Sequence, residues 1–349
     1  MPEAPSTSAV VWTRAPSSAV TGGPASVPPG TTLSIGWVGD MTFGTYGSSP
    51  PGGVGTVFDK IRPYLITELL LGNLETVVGN VPPSKCSPGD VGCFSMVAPP
   101  ETAQALKDAG FGGVNLANNH THDSGSTGLA TTKQALDDVG IAYTGLPGQI
   151  TYVTANGLTV ALLGFAPYYG LANALDIPEA VRLVKEAEQH AHIVIVMMHL
   201  GAEGSDRSHV RPGLEFYLGE NRGDPVAFSH AVIDAGADLV VGSGPHVPRG
   251  MQWYQGRLIA YSVGDFSGYN TFPVTGLWGQ SAILNITLDA DGSYVTGSVT
   301  PLLLSSPGFP HVDLDATVIN TMNALSSADF AGNGAAMIQD DGHIEPPPS

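Results

Sequence analysis

The sequence predicts an α/β domain whose functional residues gather at the carboxyl ends of its strands. Apolar runs of strand length alternate with stretches of helical length, the pattern of a mostly parallel sheet covered by helices. One run, residues 193–198, holds no polar residue, as in a strand covered on both faces. Separate apolar runs also end in residues able to bind metal: Asp40, Glu75, Asn119-His120, His199 and His246.

The folded part begins near Thr31, after a segment rich in Pro, Ser, Ala and Thr (residues 1–30) that reads as a flexible tether. That tether suits an anchored or exported protein whose signal or lipid anchor lies upstream. Residues 33–38 alternate as a first strand and stop at Gly39-Asp40. Residues 41–55 are a Gly/Ser/Pro loop, and 58–66 a short helix containing Pro63. Residues 69–75 form a buried strand ending in Glu75. A helix over 100–109 has Glu101 in its positive first turn.

It leads to the strand 113–117 and the turn Asn118-Asn119-His120-Thr121-His122-Asp123. An open α/β sheet binds ligands at such strand ends, and imidazole with oxygen donors suits a transition metal. The competing reading is a capped turn, since Asn and Asp are common turn residues.

An amphipathic helix covers 127–139, and a hairpin turns at Asn156-Gly157. A helix at 178–189 precedes the apolar strand that ends at His199. Residues 204–223 are a polar insertion. A helix at 224–236 feeds the strand 238–242, followed by Ser243-Gly244-Pro245-His246. Hairpins at 251–261 and 281–304 and a last helix at 312–326 complete a domain spanning 31–328. The Pro-rich tail, 329–349, reads as loose.

Thirteen basic against 31 acidic residues give a net charge of −18 in 349 residues. This field repels nucleic acid and anionic membranes and favours cations, although solubility alone also accounts for it. No stretch approaches the roughly 18 apolar residues of a membrane span. Cys86 and Cys93, in a turn-rich loop, point to a small disulfide and an oxidising compartment; two reduced thiols are the alternative.

Strand ends linked through helices converge in space, because parallel strands deliver their carboxyl ends to one edge. The converging donors Asp40, Glu75, Asn119, His120, His199 and His246 suit Mn, Fe or Zn, as one ion or a pair, and do not suit calcium.

The order Gly39-Asp40, Asn73-Leu74-Glu75, Ala117-Asn118-Asn119-His120, Asp123-x-Gly125, His199-x-Gly201-x-Glu203, Pro245-His246-Val247 and Tyr261-Ser262-Val263-Gly264-Asp265-Phe266 resembles the CapA family. These are poly-γ-glutamate capsule-synthesis proteins of the calcineurin-like metallophosphoesterase superfamily. The resemblance implies a four-layer αββα sandwich with a dinuclear metal site at the strand ends. It puts the superfamily's first aspartate on Asp40, its asparagine-histidine pair on Asn119 and His120, and its later histidines on His199 and His246. The bridging acid falls on Glu75, although Asn73 occupies the position where a Gly-Asp motif would put it.

Three departures stand out. Thr42 replaces a histidine, Gly244 replaces the first residue of a His-Pro-His motif, and Asp265 replaces an asparagine. With Gly244 in place, one metal position is expected to be weaker.

Two functions follow. One is an extracytoplasmic metal-dependent hydrolase of an anionic small molecule or polymer. There His122, Asp123 or Glu203 would orient or protonate, and Arg249 would clamp the anion, because guanidinium binds such groups bidentately. The other is a non-catalytic accessory protein that binds poly-γ-glutamate or membrane-bound subunits of its synthase.

Overall fold

The computed structural model describes residues 22–87 and 93–348, together with the backbone of Thr13–Arg14. Two sheets stack face to face. The first runs, in spatial order, Thr13–Arg14, Thr151–Ala155, Leu158–Phe165, Ile193–His199, Leu239–Ser243, Arg257–Ala260, Met251–Tyr254. The second runs Phe309–Val312, Tyr294–Ser305, Gln280–Asp289, Thr32–Thr42, Leu69–Leu74, Phe111–Asn115, Ala142–Thr144, with Asp265–Gly268 paired to Thr32–Thr42.

Side-chain alternation assigns the layers. Ile195 and Met197 face the second sheet and pack with Trp37, Leu69 and Leu71. Val194, Val196 and Met198 face outward onto Leu183 and Val184 of the Ile177–Glu188 helix and onto Val232 of the Pro225–Asp234 helix. On the far side, Leu70, Leu74 and Val114 meet Leu106 of the Thr102–Asp108 helix and Leu136 of the Gly125–Val139 helix. The order is therefore helix, sheet, sheet, helix, the expected αββα sandwich. Both faces of Ile193–His199 are covered, which is why that strand reads as an unbroken apolar run. A bond from Trp37 Nε1 to the Gly242 carbonyl, 3.1 Å, ties one sheet to the other.

The central strands of both sheets are parallel. Their carboxyl ends meet in register: Asp40 lies opposite Asn73, Asn73 opposite Asn115, Asp265 opposite Asp40, and His199 opposite Ser243.

Several expectations need correction. The Pro63 stretch is two short 3-10 turns, Val54–Phe58 and Arg62–Tyr64, not a helix. The last helix is Thr317–Phe330, and the segment beyond it is not loose. Ala336, Ile338 and Ile344 are buried against the inter-sheet core, and backbone bridges join Gln252 to Ala335 and Ser298 to His343. Three apolar side chains outweigh the Pro-rich composition around them. At the other end, Thr13–Arg14 adds an edge strand, and the carbonyls of Gly22 and Ala25 bond to His190 and His192. Val10 to Trp12 lie outside the described residues. Among the described residues no helix is long and apolar enough to cross a membrane.

Candidate metal centre and its cleft

The strand ends bring the six expected ligand residues to one rim. At the centre is Glu75, the first residue after Leu69–Leu74, fully buried. Its Oε1 lies 3.9 Å from His120 Nε2, 3.8 Å from His199 Nε2 and 3.6 Å from His246 Nε2. Neither Glu75 oxygen has a hydrogen-bond partner, and His199 Nε2 and Asn119 Oδ1 are buried and unpartnered as well. Burial drives the Glu75 carboxyl well above the usual carboxylate range. A buried carboxylate with no donor is costly. A cation at the point these atoms share would remove that cost, so the donor set fits a divalent transition metal.

Asp40 sits behind this point. Its Oδ1 accepts from Asn73 Nδ2 at 2.7 Å and its Oδ2 from the Gly244 amide at 2.9 Å. Nδ1 of His199 lies 3.4 Å from Oδ1, and Nδ1 of His246 3.3 Å from Oδ2. Burial pushes the Asp40 carboxyl up, but His199 and His246 outweigh it and hold it below the usual range. Asn73 occupies the place of the alternative bridging acid and acts as a donor to Asp40, which leaves Glu75 as the acid of this segment at the centre. A carboxamide relay from Asn115 and Asn118 onto Asn73 Oδ1, 2.9 and 3.3 Å, fixes that orientation.

His120 is set by its neighbour Asp123, whose Oδ2 lies 2.6 Å from Nδ1. Asp123 also accepts from the Met96 amide and pairs with Lys85. Asp123 is therefore placed to orient His120. His122 is half-buried beside Gly170, its Nε2 unpartnered, and it does not line the cleft described below. Glu203 faces the centre, with Oε2 at 4.0 Å from His246 Nε2.

The departures have structural consequences. The Thr42 hydroxyl is 2.7 Å from that of Thr271 and turned to Ser267, so it offers nothing to an ion. Gly244 has φ 106°, and a Cβ there would stand 3.2 Å from the His199 ring. Asp265 holds His246 Nδ1 at 2.8 Å. His246 itself adopts φ 58°, uncommon for a non-glycine residue.

The centre opens into a cleft of about 590 Å³ lined by Lys85, Phe94, Tyr168, Arg222, Phe272 and Trp278, among others. Phe272 stacks on the His246 ring at 4.3 Å. Arg222 is buried between the rings of Tyr168 and Tyr217 and bonds Glu203 at 2.7 Å. The Tyr168 hydroxyl is buried without a partner. Cys86 and Cys93 are bridged, with Cα atoms 5.8 Å apart, and Cys93 lines the cleft.

Arg249 is a correction. It is fully buried behind the site, and its guanidinium forks onto Glu215 at 2.9 and 2.7 Å and onto the carbonyls of Ala202 and Arg207. Sequence adjacency to His246 suggested a substrate clamp, but the side chain turns into the insertion instead. The cleft guanidinium is that of Arg222, which sequence reasoning missed because an irregular insertion carries no periodicity. Tyr168 was findable: it closely follows the Leu158–Phe165 strand, at the same rim as the candidate ligands.

The family described as "Bacterial capsule synthesis protein PGA_cap" matches residues 34–269, a span that holds every residue of this centre. The chain belongs to that family. It is 30% identical to "PGA biosynthesis protein CapA" of Bacillus subtilis (strain 168) over 254 residues, 67% of this chain and 63% of the relative. It is also 30% identical to "Capsule biosynthesis protein CapA" of Bacillus anthracis over 258 residues, 67% of this chain and 59% of the relative. The chain thus spans about three fifths of the curated relatives it matches. Among solved structures it is similar to a 5'-nucleotidase precursor from Thermus thermophilus at 15% identity and TM-score 0.43, covering 85% of this chain and 59% of that one.

Proposed function

We propose that this capsule-synthesis family member is a metal-dependent hydrolase. It works outside the cytoplasm on a phosphoester or related anionic substrate linked to poly-γ-glutamate synthesis. The observation that carries the reading is Glu75: a buried, donorless carboxylate faced by three imidazole Nε2 atoms on the floor of an open cleft. Glu75, His120, His199, His246 and Asn119 would hold the ion. A bound divalent ion supplies Lewis acidity and an acidified water.

The chain's own residues do the rest. Arg222 and Lys85 supply positive charge to an anionic group entering the cleft. Burial keeps the Tyr168 hydroxyl protonated, so it can donate to a developing oxyanion. Asp123 fixes the tautomer and direction of His120. Phe94, Phe272 and Trp278 limit water around the reacting group. The disulfide supports an oxidising compartment.

His120→Ala tests the reading. The variant is expected to lose bound metal and hydrolysis of an aryl phosphate ester together while keeping its far-UV circular dichroism. Full metal content in the variant would defeat it. The accessory reading is favoured by the names of the relatives, which refer to biosynthesis. It gains ground if wild-type protein holds metal but hydrolyses neither phosphoesters nor poly-γ-glutamate.

A further inference from the structure

Resting on the metal-site reading above, we infer that the centre holds a single ion at the convergence of His120, His199 and His246 Nε2 with Glu75, and that Asp40 is a positioning residue, not a ligand. Two of the three histidines present Nδ1 to a carboxylate at hydrogen-bond distance, His120 to Asp123 at 2.6 Å and His246 to Asp265 at 2.8 Å. His199 Nδ1 instead sits 3.1 Å from Asn73 Nδ2 and 3.3 Å from Ser243 Oγ, with Asp40 Oδ1 at 3.4 Å. In all three, Nε2 faces Glu75 at 3.6–3.9 Å. Carboxylate at one ring nitrogen and metal at the other is the usual outer-shell arrangement, because the carboxylate fixes the tautomer and raises the basicity of the ligating nitrogen.

Asp40 contrasts with Glu75. Ligand atoms of Asp40, Glu75 and His199 lie within 4.8 Å of one another, so Asp40 is close enough to be counted with them. Yet both Asp40 oxygens already accept hydrogen bonds, from Asn73 and the Gly244 amide, whereas both Glu75 oxygens accept none. Asp40 also stands on the Nδ1 side of His199 and His246, away from the nitrogens that face Glu75. A second ion would need further donors. In the group Asp40, His246 and Asp265, His246 Nδ1 and Asp265 Oδ1 engage each other and both Asp40 oxygens accept hydrogen bonds, which leaves Asp265 Oδ2 as one unpartnered oxygen, too few donors for a second ion. Thr42 is turned to Thr271 and Ser267, and Gly244 has no side chain to offer.

The test uses the full chain, stripped with chelator and titrated with Mn(II), Zn(II) and Co(II), following bound ion by elemental analysis and calorimetry and Co(II) by its visible spectrum. One ion per chain is expected. Glu75→Gln and His199→Ala are expected to abolish binding with the fold intact by circular dichroism. Asp40→Asn is expected to weaken binding by about 10–100-fold, the range for outer-shell partners. It should keep a stoichiometry of one and the wild-type Co(II) band positions, because the ligand atoms are unchanged. Two ions per wild-type chain would overturn the inference, as would loss of binding in Asp40→Asn equal to that in Glu75→Gln, with the metal reading intact. No ion in wild-type protein would overturn both.

Discussion

Arg249 and Arg222 show what one side-chain type does in two settings. Arg249 is spent on Glu215, a carboxylate that also receives the Ala202 amide and so closes the loop bearing Glu203. Arg249→Met leaves that carboxylate without its cation. The expected result is a loss of about 3 kcal/mol or more in urea unfolding, the usual cost of breaking a buried pair from one side. Arg222 lies on the cleft, so Arg222→Met is expected to weaken binding of inorganic phosphate to metal-loaded protein by about 10–100-fold, the range for a lost hydrogen bond to a charged group. Calorimetric titration of both variants checks the division; equal loss of phosphate affinity would refute it. Neither role was legible in the sequence, where both arginines are simply polar residues near glycines. The candidate ligands were legible because each ends an apolar run.

At the scale of the element, what could be read was the period and what could not was the exception to it. Strand Ile193–His199 was recovered to the residue, since covering both faces leaves an unmistakable apolar run. Strand Thr32–Thr42 is longer than its alternation suggested and changes register between Trp37 and Asp40. Gly39 makes that change possible: its φ is 79°, and a Cβ would stand 2.3 Å from the Gly264 carbonyl oxygen. Only glycine tolerates both conditions cheaply. Gly39→Ala is therefore expected to push the Asp265–Gly268 strand away and shift Asp40. A lower thermal midpoint, together with weaker metal binding than an alanine at the unconfined Gly53, would be the signature. Unchanged binding would show that Asp40 does not depend on this approach. The tail beyond Phe330 misled for the opposite reason, because three buried apolar residues among prolines and glycines form no period to detect.

At the scale of the molecule, the fold separates the candidate metal rim from a rim with its own buried acid. Asp238 precedes the Leu239–Ser243 strand, at the amino end, while the candidate ligands lie at carboxyl ends. Its Oδ2 accepts from the Val194 amide at 2.8 Å and its Oδ1 faces Arg257 at 3.2 Å, but burial dominates and raises its pKa from 3.8 to about 6. A carboxyl raised in the folded state binds its proton more tightly there than in the unfolded chain. Its contribution to stability is greatest below the unfolded value, falls as pH rises from about 4 to 6, and stays level above. A shift of that size corresponds to about 3 kcal/mol in this window. Asp238→Asn keeps an oxygen for the Val194 amide and removes the titration. The variant is expected to show a flatter stability profile than the wild type between pH 4 and 6 in urea melts, with chelator present in both so that metal binding adds nothing to the difference. A wild-type slope retained in full by the variant would assign the effect to other carboxyls of this chain, whose net charge is −18.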